Sequence, residues 1–259
     1  MAGERGFGVA AGLDPDVARP LAARCAELGY GSMWSNDHPG ALGLETVAAF
    51  AVGAPALELG VTLALERHDP ISIAADIDRL GLDRDRIWLA VGAGASRRPL
   101  TRMREAHGEL REALPGVRLV LAAMGPKMCR LAGASYDGAF FNWMTPEFAA
   151  VSREQVEAGA AEAGREPPPV FGYVRAAVGA DAGARLAKEE GLYRRLHAGY
   201  RNHFDRLDEP EGTIGVATAD REAIAAALAS YEALDVIVVR GLASATVEGM
   251  TAVAEAAAP

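Results

Sequence analysis

Short, apolar, β-compatible runs alternate with helix-patterned stretches along the whole chain, and this alternation constrains the fold more than any single motif. Strands are predicted at Phe7–Ala11, Gly31–Ser35, Glu58–Leu65, Ile87–Val91, Leu119–Ala123, Ala139–Phe141, Val170–Val178 and Asp235–Val239. A helical stretch separates each from the next. Asp181–Phe204 is mainly helical with a break near His197-Ala198-Gly199, and Leu207–Gly215 reads as loop. Strand-helix alternation implies parallel strands joined by right-handed crossovers. With 259 residues and no linker long enough to divide them, the prediction is one α/β domain spanning 1–259, a single (β/α)8 TIM barrel. A doubly wound open sheet is the alternative.

The stretch Leu119–Phe148 condenses this pattern. A strand gives way to Gly125-Pro126, where proline suits the first position of a helix because its missing N–H would be unpaired there anyway. A second strand ends in Asn142-Trp143-Met144, and Thr145-Pro146-Glu147 opens the next helix with a capping residue, a proline and an acid in order. Two helix N-termini thus open at the same ends of neighbouring parallel strands, where free N–H groups and the positive dipole end suit an anion. Ordinary strand-helix joints are the competing reading.

In a barrel of this kind, chemistry collects where strands end and the following loops begin. That rule selects Asn36, Asp37 and His38; Glu66, Arg67 and His68; Gly92, Gly94 and Ser96; Asn142 and Trp143; Arg175; and Arg240. Asp37-His38 is the leading acid/base candidate, because histidine titrates near neutrality and a nearby carboxylate can fix its tautomer. A polar turn is the alternative. His68 reads as a turn and helix-entry residue, and His107, His197 and His203 fall within helical segments. No grouping of His, Cys and acids has metal-ligand spacing. Gly92–Ser96 holds G-x-G after a strand but lacks the third glycine of a dinucleotide fingerprint, so small residues admitting a flat ligand are the better reading. The chain contains no G-x-S-x-G, P-loop or H-E-x-x-H.

Net charge is −9, from 35 acids against 26 bases, which argues against a nucleic-acid partner. Cys25 and Cys129 lie in apolar helical patterns and read as reduced core thiols of a cytoplasmic protein. The N-terminal stretch has too little apolar length for a secretion signal, and no apolar run reaches transmembrane length. Alanine-rich helical faces suggest a homodimer.

Four pieces, ELGYGSMWSNDH, LGVTLALERHDP, DRIWLAVGAG and AMGPKMCRLAGASYDGAFFNWMTPE, in that order and spacing, resemble the bacterial-luciferase-like family, and within it the deazaflavin-dependent branch of actinobacterial and methanogen enzymes. The similarity covers most of the chain and weakens after about Val178. It implies a (β/α) barrel that binds the deazaflavin coenzyme or FMN at its C-terminal mouth and moves hydride to or from a small organic substrate. Family members often carry a non-proline cis peptide in a third-strand bulge behind the ring, which corresponds to Gly60-Val61-Thr62. The resemblance also implies that Asp37-His38 faces the ring, with Asp37 orienting His38. Gly125-Pro126 and Asn142–Thr145, including Trp143, match loops near the cofactor's phosphate. The sugar-phosphate dehydrogenases of this branch place a glutamate where this chain has Ala95, and a tryptophan that Pro39–Leu44 lacks. The Ala113–Val117 segment is also shorter than in many relatives. The implied function is deazaflavin-dependent oxidoreduction; an FMN-dependent monooxygenase, or a non-catalytic cofactor-binding barrel, is the alternative.

Overall fold

The computed structural model describes residues 4–218 and 220–259. The strands are β1 (Glu4–Ala10), β2 (Ser32–Asn36), β3 (Glu58–Ala64), β4 (Ile87–Gly92), β5 (Arg118–Ala122), β6 (Gly138–Asn142), β7 (Val170–Val178), β8 (Val216–Thr218) and β9 (Val236–Gly241). The helices between and after them are α1 (Pro15–Glu27), α2 (Gly43–Gly53), α3 (Pro70–Arg79), α4 (Pro99–Ala113), α5 (Pro126–Ser135), α6 (Pro146–Glu162), α7 (Ala182–Leu196), α8 (Ala198–Leu207), α9 (Arg221–Ala229) and α10 (Val247–Ala256). Every strand pairing is parallel. Strands β1 to β6 run side by side, β9 pairs with both β1 and β7, and β6 pairs with β7. The circle therefore closes as the predicted (β/α)8 barrel, with none of the free edges an open sheet would have.

Helix entry is local chemistry repeated. Asp14, Asp69 and Thr145 each accept a backbone N–H from the first turn, and a proline follows each at the first helical position. The predicted break in the long helical stretch falls at His197, whose extended backbone (φ −156°) separates α7 from α8. One element was not anticipated. The three-residue strand β8 pairs with Ala176–Val178, beyond Tyr173 where β6 stops pairing with β7. Three residues are too few to display a period, so nothing in the pattern marked them.

Outward-facing strand residues such as Phe7, Met33, Val61, Leu89, Leu121 and Val239 join the helices in one large core. The barrel interior is a separate cluster built on Trp34, Ala90, Val120, Phe140, Phe171, Tyr173, Val236 and Val238. Trp34 lies 4.9 Å from the Phe140 ring and 5.4 Å from Phe171, and its indole N–H donates to Ser32 Oγ at 2.9 Å. Gly60 makes the room, since a Cβ there would fall 2.0 Å from the Trp34 ring. Among the described residues no helix is long and apolar enough to cross a membrane.

Substituting Gly60→Ala should destabilise the protein by about 1–3 kcal/mol through overpacking against Trp34. Chemical denaturation checks this, and an unchanged midpoint would show that the aromatic plug yields freely.

Candidate active site at the C-terminal mouth

Period-two alternation carries the interior face upward from the aromatic plug. Because Trp34, Gly60, Ala90, Val120, Phe140, Tyr173 and Val238 point inward, so do Asn36, Thr62, Gly92, Ala122, Asn142, Arg175 and Arg240 two residues later. The C-terminal mouth thus has an aromatic floor, an arc of small residues on β4 and β5, and polar or cationic residues elsewhere. Burial pushes the Tyr173 phenol in that floor up to about 12, so it stays protonated.

Arg175 is the centre of the polar side. It is only 2% exposed, donates to Asn142 Oδ1, and stacks 3.6 Å above the Trp143 ring, with Tyr193 5.2 Å away. Asn142 in turn donates to the Tyr200 hydroxyl at 2.8 Å. This chain of contacts joins β6 and β7 to α7 and α8, which pack over this side of the mouth through Trp143, Leu186, Phe204 and Leu207. Trp143 itself has φ +55°, a left-handed conformation that non-glycine residues adopt at some cost in strain. The kink turns the chain out of the barrel wall at the exit of β6.

The two predicted anion turns are tied together by α8. His203 Nε2 donates to the Trp143 carbonyl at 2.6 Å, its Nδ1 lies 3.2 Å from the Met124 carbonyl, and Arg206 donates to that carbonyl at 2.9 Å. Gly125 begins α5 without a side-chain cap, whereas the Thr145 hydroxyl accepts the Phe148 N–H of α6. The free helix end is therefore the one at Gly125-Pro126.

Several sequence expectations change here. Asp37 does not orient His38. Alternation turns Asn36 inward and Asp37 outward, where its carboxylate accepts the Gly43 N–H at the start of α2 and pairs with His68 Nε2. His68, read as a turn residue, is thus the imidazole that Asp37 holds. His38 instead sets its ring nitrogens against the Pro39 and Ala11 carbonyls, at 2.9 and 3.0 Å. Asp37, His38, His68, Arg67 and Glu45 line a rim cleft of ≈ 360 Å³. The cis peptide expected at Gly60-Val61-Thr62 is also not found, since all described peptide bonds are trans. Strand β3 stays in register with β2 and β4 throughout, leaving no bulge. Of these three residues Gly60 lies in the floor, Val61 faces the helices and Thr62 faces the mouth. Beyond Gly92, Gly94 turns the chain at φ +60°, and Glu66 of the neighbouring loop accepts the Ala95 N–H at 2.5 Å. A carboxylate is therefore present at the β4 exit, supplied from the end of β3.

Residues 105–257 match the family model described as luciferase-like monooxygenase. The chain belongs to the luciferase-like family. A 5,10-methylenetetrahydromethanopterin reductase of Methanolobus tindarius is 28% identical over 213 residues, covering 68% of this chain and 65% of the relative. The chain thus spans just under two thirds of that relative. The F420-dependent tetrahydromethanopterin reductase of Methanopyrus kandleri has the same fold with a TM-score of 0.73 at 14% identity, over 99% of this chain and 97% of that one. An F420-dependent secondary alcohol dehydrogenase superposes with a TM-score of 0.70 at 17% identity, covering 99% of both chains. The FMN-bound oxygenating constituent of 3,6-diketocamphane monooxygenase from Pseudomonas putida gives 0.68 at 14% identity, over 100% of this chain and 97% of that chain.

In this luciferase-like barrel, Cys25 and Cys129 are free, and burial pushes both thiols up to about 12, which makes them inert. Among the described residues no three His, Cys, Asp or Glu side chains are grouped to hold a metal ion.

Burial holds the His203 imidazole below its ordinary value of 6.5. The unfolded chain therefore takes up a proton as pH falls through about 6.5 while the folded site resists it, so stability is full above that pH and declines below it. Melting curves from pH 7 to 5 should show this decline, and His203→Gln should make it shallower. Burial lowers His107 and His197 as well, so part of the slope should remain. An identical slope in the variant would exclude His203 as a source.

Proposed function

We propose that this luciferase-like protein is a deazaflavin-dependent oxidoreductase that transfers hydride to or from a small organic substrate, with FMN as the alternative cofactor. The observation that carries this reading is the mouth itself, with its aromatic floor, small-residue arc and unpaired polar groups. Asn36 Oδ1 is buried and has no hydrogen-bond partner. Flavins and deazaflavins share a pyrimidine edge whose ring N–H lies between two carbonyls, so an orphaned acceptor near buried donors fits that edge. The residues present therefore suit such a ring. An F420-dependent reductase and an F420-dependent dehydrogenase are among the similar proteins, and so is an FMN-bound monooxygenase.

In this proposal Asn36, Thr62, Gly92 and Asn142 border the ring, Gly94 and Trp143 shape the loops beside it, and Gly60 and Val61 support the strand beneath. The anionic tail meets the uncapped start of α5 at Gly125-Pro126, with Lys127 and Arg206 at the same end and the Thr145 turn beside it. When bound, the coenzyme supplies a two-electron hydride donor or acceptor. The protein excludes water below with its aromatic plug and on one side with α7 and α8. His38 gives a proton to, or takes one from, the substrate heteroatom, which requires exchanging one of its two backbone contacts for the substrate. Asp37 acts indirectly, by holding the start of α2 and His68 at the adjoining rim. Reduced core thiols and alanine-rich helical faces support a cytoplasmic homodimer.

Parallel titrations with the deazaflavin coenzyme and FMN, followed by absorbance and fluorescence, test the reading. Saturable binding of one of them is expected, and binding of neither would count against it. His38→Ala should lower turnover by roughly 100-fold or more while cofactor affinity stays within about twofold. Unchanged turnover would remove His38 from the mechanism.

A further inference from the structure

The barrel mouth contains a charge arrangement that the fold alone does not require. Arg175 and Arg240 are register neighbours on adjacent strands β7 and β9, and both face inward. Like charges directly opposite one another on one sheet face repel. Both residues are buried, Arg175 at 2% and Arg240 at 5% exposure, so water screens that repulsion little. On its other flank Arg240 is in register with Gly8, which offers no side chain to neutralise it.

Neither cation is satisfied. The Nε of each is buried without a hydrogen-bond partner. Among the described residues no carboxylate comes within ion-pair distance of Arg175, and Arg240 reaches only Glu189 of α7, at 3.9 Å. Arg175 is compensated in part by the Trp143 face and Asn142 Oδ1. A buried cation normally has a close counter-ion, and these two adjacent cations share one carboxylate, Glu189, which lies at the outer limit of ion-pair distance from Arg240.

We infer that Arg175 and Arg240 form a receptor for the carboxylate of the substrate. This rests on the reading of the mouth as the reaction site. The anion's geometry is argued from the donors. A guanidinium presents a planar fork, and a carboxylate's two coplanar oxygens match it. The walls around Arg175 are the rings of Trp143, Tyr173 and Tyr193, which suit the organic body of a small carboxylic acid better than a hydrated phosphate. Helices α7 and α8 provide Glu189, Tyr193 and Tyr200 over the pair, so an acid bound there is covered from this side and its carboxylate stays out of water.

The test uses the full chain without cofactor, then saturated with the deazaflavin coenzyme or FMN. Sodium benzoate and sodium acetate are titrated at constant ionic strength against sodium chloride and sodium phosphate, with melting temperature and tryptophan fluorescence as readouts. The proposal expects a saturable rise in melting temperature with a carboxylate beyond that with chloride or phosphate, in cofactor-free and cofactor-loaded protein alike. Arg240→Met should melt no lower than the wild type, because it removes one of two repelling charges, and should bind the carboxylate at least tenfold more weakly. Should Arg240→Met fail to fold, Arg240→Lys carries the comparison, since an ammonium keeps the charge but loses the fork and should also weaken binding tenfold. Equal carboxylate affinity in these variants would overturn the proposal, as would a wild-type response no larger than that to chloride or phosphate. Loss of cofactor affinity in Arg240→Met, with carboxylate competing against the cofactor, would also overturn it by assigning the pair to the coenzyme. Wild-type protein that binds carboxylate but no cofactor would sink the oxidoreductase reading while leaving the receptor in place.

Discussion

Trp34 fits at the centre of the barrel because Gly60 carries no side chain, and the mouth takes its form from that contact. With the indole lying over the glycine and against Phe140 and Phe171, aromatic rings fill the centre of the interior, and the branched aliphatics common in such barrels are represented by Val120, Val236 and Val238. A close-packed plug is hard to deform. The next inward layer, with Asn36, Thr62, Asn142, Arg175 and Arg240, therefore rests on a fixed platform. Polar groups in that layer stay dry underneath and depend on one another, or on a ligand, for hydrogen bonds.

That dependence separates the two sides of the mouth. On the β4–β5 side, Gly92 and Ala122 leave space. On the β6–β7–β9 side, polar side chains crowd beneath α7 and α8, and the contacts run in series from Tyr200 through Asn142 to Arg175 and Trp143. The left-handed backbone at Trp143 belongs to this series, because it brings the indole under the guanidinium as β6 leaves the wall. The left-handed Trp143, the unpartnered Nε groups of Arg175 and Arg240 and their like charges in register meet in one part of one face. Natural proteins retain such costs chiefly where a site needs them.

The outer rim follows a different logic. Asp37, His68 and the start of α2 form a brace outside the barrel wall, with a carboxylate at a helix N-terminus and an imidazole as its second partner. His203 does similar work at the β5 and β6 exits, spanning two loop carbonyls from α8. Glu66 likewise steadies the Gly94 turn from the neighbouring loop. These contacts join consecutive strand exits, so the loops bordering the mouth are held by one another.

Much of this was legible in the chain. Alternation of short apolar runs with helical stretches determined the parallel barrel, because a parallel strand can be reached only by a crossover and a helix is the compact way to make one. Strand ends could be read as the functional edge, which picked out Asn36, Asn142, Trp143, Arg175 and Arg240, and the helix break at His197 was visible in local sequence. Tertiary structure alone decided the partnerships. Asp37 meets His68, 31 positions away, and not its neighbour His38, because the parallel pairing of β2 with β3 brings the loops that follow them side by side. Register likewise set Arg175 beside Arg240, with Glu189 of α7 as the one carboxylate near the pair, 3.9 Å from Arg240. Pattern reports which face a side chain takes; which distant side chain it meets is set by how the strands align, and no local period encodes that.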